Sequence, residues 1–266
     1  MSDYRYNKFT TNLLFRDLGF RHGAAAPGDQ VPKFELLTTR GERLANDDVF
    51  VDKPVLFVFG SMTCPMTASS APSVQDLYEE FGERVDFLMM YVREAHPGEN
   101  YAQAETMDDK ISSAMALQEF YGIDWTVVAD TLDGELHRAL DPKPNAAYLV
   151  NSDGEILFRS LWAADYSALH LALEDAADGK ALQHTQSTRL FGPVARAMGM
   201  VREVMRRGGP QAERDLWRAA FPMALAGLVA TWFGPLSPDQ RGIAAVLALA
   251  IGMIVVLGLL STVVFG

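Results

Sequence analysis

Cys64 is the only cysteine in a chain of 266 residues, and it lies in the segment FGSMTCPM. It follows the apolar run VLFVF, which is typical of a strand buried on both faces, and it precedes a predicted helix. At the start of a helix, backbone N–H groups and the helix dipole stabilise a thiolate, which is the nucleophilic form of cysteine. Because there is no second cysteine, an external thiol would have to resolve any covalent intermediate. The alternative is that Cys64 is only a small buried apolar residue.

The elements that must position Cys64 are those of an α/β domain. Strands are predicted at 32–39, 55–59, 85–92 and 126–129, with a hairpin of 146–151 and 155–160, and helices at 69–82, 106–122 and 165–179. A parallel βαβ unit followed by an antiparallel hairpin and a closing helix is the thioredoxin arrangement, which we predict for residues 31–182. Residues 1–30 form an N-terminal arm whose apolar side chains we expect to dock on the domain or on a partner.

The C-terminal part of the chain is predicted to enter a membrane. Residues 219–238 and 242–266 contain no charged residue, and at about 1.5 Å per residue each can cross a hydrocarbon core of roughly 30 Å. We therefore predict a transmembrane helical hairpin over 216–266, with a capping box from Ser237 to Gln240 at the start of the second helix. The alternative is a hairpin buried in a protein core.

Residues 183–215 are predicted to form a basic amphipathic juxtamembrane helix that lies on the membrane surface. Seven arginines stand against three acidic residues in 189–218, although the whole chain has a net charge of −11. The alternative is a linker helix packed on the domain. The positive-inside rule places the soluble domain on the cytoplasmic side of an inner (cytoplasmic) membrane. The acidic remainder of the chain argues against nucleic-acid binding, and we predict no metal site and no cofactor.

Two segments, KPVLFVFGSMTCPM and VDFLMMYVREAHPGENY, together resemble the iodothyronine deiodinase family. In that family the first strand leads to a Gly-Ser-x-Thr-selenocysteine-Pro turn, and the next strand ends in Tyr-x-x-Glu-Ala-His. The resemblance covers residues 32–175. The matching residues are Gly60, Ser61, Thr63, Cys64 and Pro65 in the first motif and Tyr91, Glu94, Ala95, His96 and Pro97 in the second.

The resemblance implies a thioredoxin fold and three catalytic residues. Cys64 takes the selenocysteine position as the nucleophile, His96 is the candidate proton donor, and Glu94 can orient it. The alternative for Glu94 and His96 is a polar loop start after a strand. The family's animal members use selenium and an N-terminal anchor, so the resemblance concerns fold and site layout rather than substrate.

The predicted substrate-binding residues flank the nucleophile. They are Thr63 and Pro65 beside Cys64, and Pro144, which resembles the cis-proline that faces the active cysteine in this fold. If the register is off by one, Asn145 holds that place instead.

Two functions remain open from the sequence. The first is a membrane-anchored thiol oxidoreductase in which Cys64 attacks a peroxide, disulfide or halogenated substrate and an external thiol restores it. The second is a non-catalytic accessory subunit of a larger membrane complex, respiratory or photosynthetic, with the thioredoxin-like domain as a docking module. In either case the lipid bilayer is a predicted partner, and other membrane subunits would contact residues 1–30 and 216–266.

Overall fold

The structure, a computed structural model, describes residues 4–265, with side chains described up to residue 258 and at 260. Residues 1–3 and 266, at the outer ends of the predicted arm and hairpin, lie outside the described residues. Within the described part, the strands are β1 (Glu35–Thr38), β2 (Arg43–Ala45), β3 (Val55–Gly60), β4 (Asp86–Tyr91), β5 (Thr126–Ala129), β6 (Ala147–Val150), β7 (Ile156–Ser160) and β8 (Gln186–Ser187). The α-helices are α1 (Thr11–Asp17), α2 (Asn46–Val49), α3 (Pro65–Phe81), α4 (Met107–Tyr121), α5 (Glu135–Leu140), α6 (Tyr166–Ala177), α7 (Phe191–Gly208), α8 (Pro210–Ala219), α9 (Phe221–Ala230) and α10 (Pro238–Phe265).

The strands form one mixed sheet in the order β2-β1-β5-β4-β3-β6-β7-β8. Strands β3 and β4 are parallel and are joined by α3, β6 runs antiparallel to β3, and the β6–β7 hairpin is followed by α6. Every residue of β3 is buried, which explains why its sequence is apolar throughout rather than alternating. This is a thioredoxin-like fold, and it confirms the fold class predicted from the sequence.

Two elements start three or more residues away from the predicted position. Helix α3 begins at Pro65 instead of residue 69, so Cys64 is its N-cap residue. Proline is favourable in the first turn of a helix because its missing N–H would have no partner there. The first strand is also shorter than 32–39 and starts only at Glu35.

The segment 183–215 is not a helix lying on a membrane surface, and this interpretation was wrong. Most of it is in α7, which ends at Gly208 and is followed, after Gly209, by α8. The apolar face of α7 is buried by this chain itself, through Met198, Val201 and Met205. Since that face is already covered by protein, it is not available to lipid.

The hairpin predicted over 216–266 forms in part, but it does not form two spans. Helix α9 has 10 residues, about 15 Å at the usual rise, which is half of a hydrocarbon core. Pro222 stands in its first turn instead of kinking a longer helix. The connection to α10 also lies against the domain, where Ser69 Oγ donates to Asp239 at 3.4 Å. A turn in contact with the domain cannot lie across a membrane from it.

Helix α10 differs from α9 because it is long enough to span. It has 28 residues, and its stretch Pro238–Gly258 is apolar and mostly exposed. Ser237 Oγ accepts from Gln240 N at 3.4 Å and Gln240 Oε1 accepts from Ser237 N at 3.2 Å, as the capping box predicted. The structure therefore contains one candidate span among its described residues.

The crossing of α7 and α10 requires glycine on both helices. A Cβ on Gly242 would collide with the carbonyl oxygens of Ala195 and Arg196, whereas a Cβ on Gly252 has open space around it. We expect Gly242→Ala to lower the free energy of unfolding by about 1–3 kcal/mol relative to Gly252→Ala, since overpacking costs that much. Thermal unfolding of both variants in mild detergent measures the difference, and equal stability would show that the two helices do not pack closely.

The N-terminal arm docks on the domain of its own chain. Phe9 and Leu13 are buried in one cluster with α7, α8 and α9. Tyr4 reaches further, and its hydroxyl lies 2.8 Å from His137 Nδ1. The arm therefore covers the edge of the sheet at which β3 and β4 end.

Candidate functional site

Cys64 lies at the carboxyl end of β3, as its position in the sequence predicted. Its side chain is 1% exposed. It packs in an apolar cluster with Met66, Ala95, Trp162 and, from α7, Ala197. The nucleophile is thus in the expected place, but it is shielded from solvent by a helix outside the thioredoxin core.

Burial controls the ionisation of this thiol. It raises the pKa of Cys64 to about 11, while hydrogen bonds from the Thr67 side chain and from the backbone N–H groups of Thr67 and Met66 act to lower it. The helix start therefore stabilises the thiolate as expected, but desolvation outweighs it in this conformation. The local pattern indicates the helix start that favours the thiolate, but the extent of burial depends on distant segments such as α7.

Glu94 holds the turn that carries Cys64. Its carboxylate accepts a hydrogen bond from the backbone N–H of Thr63 at 2.8 Å and further ones from the hydroxyls of Thr63 and Tyr91. The Glu94 backbone is fixed in turn by the Gln103 amide, at 3.1 Å and 2.8 Å. Burial raises the pKa of Glu94, and the donors on Thr63 and Tyr91 oppose that shift. Glu94 is therefore a positioning residue for the turn.

His96 is joined to the same turn through its backbone. Its N–H donates to the Thr63 hydroxyl at 3.0 Å, so Thr63 links Glu94 and His96. The imidazole is buried against the Phe9 ring, with the ring centroids 4.2 Å apart. Among the described residues its Nδ1 has no hydrogen-bond partner. Burial lowers the pKa of His96 to about 3, so the ring is neutral at physiological pH.

Helix α7 and residues 4–17 of the arm lie over this site. We call these two segments together the cover. Arg207 fastens the cover to the turn, since its guanidinium donates to the Met62 carbonyl at 3.3 Å and to the Tyr121 hydroxyl at 2.9 Å. Gly208 lies directly over the turn, where a Cβ would come within 3.3 Å of Thr63 and 3.2 Å of the His96 carbonyl. The cover is therefore fitted to the site residues themselves.

The expectation of a cis-proline at residue 144 was wrong. Residues 4–265 contain no cis peptide bond. The neighbouring Asn145 approaches the site instead, and its side-chain amide donates to the Phe59 carbonyl at 3.0 Å and to Ser70 Oγ at 3.1 Å. These bonds tie β6 to the end of β3 and to the first turns of α3.

Thr63 and Pro65, the two predicted substrate-binding residues beside Cys64, both lie at the connection from β3 to α3. Thr63 contacts Glu94 and His96, as described above, and Pro65 starts α3 directly after Cys64. Gln103 and Arg207 were not singled out from the sequence. Their contacts depend on how distant segments meet, so no local pattern indicates them. Within residues 4–265, no group of three or more His, Cys, Asp or Glu side chains could hold a metal ion.

We expect His96 to make stability depend on pH. The unfolded chain protonates His96 below its ordinary pKa of 6.5, whereas the folded chain does so only near 3, so the unfolded state binds more protons in this window and stability falls as the pH drops. Between pH 7 and pH 4 the wild type should lose about 3 kcal/mol more than His96→Gln. Burial raises the pKa of Asp17 to about 6, so its protonation stabilises the folded chain as the pH drops. This contribution is the same in the wild type and in His96→Gln and cancels in the comparison.

Urea unfolding at the two pH values gives this difference. His22→Gln is the matched control, because His22 is exposed, and it should follow the wild type. If His96→Gln also followed the wild type, the imidazole would have to be accessible to water in the folded chain.

Comparison with known proteins relates this site to one family. The family model described as iodothyronine deiodinase matches residues 14–165. Type II iodothyronine deiodinase from Fundulus heteroclitus is 28% identical over 123 residues, which cover 41% of this chain and 46% of that protein. The human type II iodothyronine deiodinase is 30% identical over 102 residues, covering 33% of this chain and 37% of that protein. The chain thus spans less than half the length of these relatives.

Solved structures resemble the domain in fold. An uncharacterized conserved protein from Geobacillus kaustophilus superposes with a TM-score of 0.51 at 18% identity, over 60% of this chain and 87% of that one. A hypothetical protein from Sinorhizobium meliloti superposes with a TM-score of 0.50 at 13% identity, over 64% of this chain and 93% of that one.

Proposed function

We propose that this chain, which belongs to the iodothyronine deiodinase family, is a membrane-attached thiol oxidoreductase with a single redox-active cysteine. The observation that carries the proposal is the setting of the Cys64 sulfur. It lies at the start of α3, where the Thr67 hydroxyl and the backbone N–H groups of Met66 and Thr67 act to lower its pKa, on a turn held by Glu94. These donors favour the thiolate, so the site is built to ionise once the burial imposed by the cover is relieved.

The reaction needs one nucleophile and one external thiol. With a disulfide substrate, the Cys64 thiolate attacks one sulfur, a mixed disulfide forms at Cys64, and the other half leaves as a thiolate that takes up a proton. A second thiol then attacks the mixed disulfide, becomes the oxidised partner in a new disulfide and releases Cys64. His96 lies near the turn, but its buried ring is neutral, so it can act as the proton donor only when opening of the cover returns its pKa toward the ordinary value. A peroxide or a halogenated compound would be attacked by the same Cys64 thiolate.

Trapping the mixed disulfide tests this function. The full chain in mild detergent is incubated with glutathione disulfide, and its intact mass is measured before and after addition of reduced glutathione. We expect one glutathione adduct, its reversal by the thiol, and no adduct on Cys64→Ser. Failure to form the adduct even when the cover is displaced would exclude the proposed chemistry.

The proposed membrane attachment is a single span formed by α10. One face of its first half packs on the rest of the chain through Ala245, Val246 and Leu249, whereas from Ile251 to Gly258 every residue is exposed. Exposure on all sides of an apolar helix suits lipid. The arginines of residues 189–218, which precede the span, favour the cytoplasmic side for the domain.

A chain that ends at Ala250 should lose its membrane attachment and still fold. The truncation removes the exposed part of α10 and keeps the part that packs on α7 and α9. We expect the full chain to remain in the membrane pellet after carbonate extraction and the truncated chain to appear in the supernatant. A truncated chain that stayed in the pellet would show that other residues hold the protein on the membrane.

A second candidate is the non-catalytic accessory subunit of a larger membrane complex. It is favoured by the 1% exposure of Cys64 under a cover made from the chain's own segments, because a docking module has no need of an open site. Gentle solubilisation of the native membrane should then yield the protein in a complex well above its own 29.3 kDa. Recovery of the monomer alone would count against this candidate.

A further inference from the structure

A small cleft lies between α7, α8 and α9, away from Cys64. Its volume is about 180 Å³, and six of its eight lining residues are apolar, although the surface exposed inside it is more polar than apolar. The lining side chains include Met205, Leu216 and Leu228, and two polar groups, Arg202 and Glu213, belong to it as well. A lining that combines apolar side chains with charged groups suits an amphiphile, which has both kinds of surface.

The cleft lies close to the point where α10 leaves the body of the protein. Leu216 and Ala224 both line the cleft. They belong to the apolar cluster against which Val246 and Leu249 of α10 pack. The exposed part of α10 begins directly afterwards, at Ile251. If α10 enters the bilayer there, the cleft is at the level of the lipid headgroups.

The charges beside the cleft favour an anion. Among residues 4–265, Arg202 has no ion-pair partner, and neither does the exposed Arg218. The carboxylate of Glu213 is balanced by Arg206 at 3.6 Å. This surface is thus basic in a chain whose net charge is −11, so it is the part of the molecule that an anionic surface would attract.

Two exposed aromatic side chains, Trp217 and Phe221, lie at the cleft or next to it. Trp217 lines the cleft and is 40% exposed, and its ring lies 5.6 Å from that of Phe221, which is 56% exposed. Exposed tryptophan and arginine next to an apolar span are typical of the zone between lipid and water.

We propose that the α7–α8–α9 cleft binds an anionic phospholipid beside α10. The Arg202 guanidinium pairs with the phosphate, Trp217 lies at the headgroup level, and the apolar side chains of the lining contact the upper part of an acyl chain. The proposal rests on membrane attachment by α10 but not on the reactivity of Cys64.

Quenching of tryptophan fluorescence by brominated lipid tests the site. The full chain is placed in nanodiscs that contain either brominated phosphatidylglycerol or brominated phosphatidylcholine in equal amounts, and Trp217→Phe identifies the contribution of Trp217. We expect the phosphatidylglycerol to quench Trp217 more strongly. Arg202→Gln should weaken that preference about fivefold, because one arginine near a membrane surface contributes roughly that factor. Arg202→Lys should retain most of it.

The control is Arg84→Gln, since Arg84 pairs with Asp178 at 2.8 Å on the thioredoxin-like domain, and it should leave the preference unchanged. Equal quenching by the two lipids would overturn the cleft as an anionic-lipid site while leaving the membrane anchor intact. A chain that does not enter nanodiscs at all would overturn the anchor and the cleft together. Neither result would bear on the mixed-disulfide test of Cys64.

Discussion

Replacing Glu94 by alanine should lower the free energy of unfolding by about 3–5 kcal/mol, which is a large effect for one side chain. The carboxylate is buried and accepts from the backbone and hydroxyl of Thr63 and from the hydroxyl of Tyr91. Alanine would leave these three donors without a partner in the interior, and each unsatisfied buried group costs about 1–3 kcal/mol. Urea unfolding in mild detergent measures the loss.

Two further variants make this result specific. Glu94→Gln keeps one oxygen to accept from Thr63 and should fall between alanine and the wild type. Glu83→Ala removes a carboxylate that is exposed and should change stability by no more than about 0.5 kcal/mol. If Glu94→Ala behaved like Glu83→Ala, Glu94 would be no more than a polar residue at the start of a loop.

Displacing α7 should make Cys64 react about 100-fold faster with iodoacetamide at pH 7. Burial raises the pKa of this thiol to about 11, at least two units above the ordinary value of about 8.5, and two pH units correspond to about a hundredfold change in the thiolate fraction. Ala197 is fully buried in the cluster around Cys64. Ala197→Glu would place a carboxylate there, and the cost of burying it should drive α7 off the site.

The matched control is Gly192→Glu, which introduces the same carboxylate at an exposed position of α7 and should leave labelling unchanged. Arg207→Ala is a milder variant that removes the bonds to Met62 and Tyr121, and it should give an intermediate rate. The native near-ultraviolet circular dichroism of each variant shows that the domain remains folded. If folded Ala197→Glu were labelled no faster than the wild type, α7 would not be what shields Cys64.

The position of the site could be predicted because it depends on local patterns. An apolar run followed by a proline-containing turn identified β3, Cys64 and the presence of a helix after them, although the helix starts four residues earlier than predicted. The second motif placed Glu94 and His96 directly after β4, and Thr63 joins them to the Cys64 turn. Parallel neighbouring strands end at the same edge of a sheet, so these groups had to lie close together.

The cover could not be predicted, since its contacts join segments far apart in the chain. The apolar stripe of α7 fits a lipid surface and a protein surface equally well, and only the structure shows that it packs on α3, α9 and α10. The predicted span over 219–238 is not confirmed, for a different reason. This uncharged stretch is long enough in residues, but α9 starts only at Phe221 and the chain leaves the α-helix after Ala230.

The apparent pKa of Cys64 in the intact chain tests most directly the claim that the site is assembled but closed. The rate of alkylation by iodoacetamide is followed across pH, with the modified residue located by mass spectrometry. We expect an inflection near 11 for the wild type and a shift to or below the ordinary value of about 8.5 for Ala197→Glu. An inflection at or below about 8.5 in the wild type itself would contradict it, because the thiol would then be open to solvent without any movement of α7.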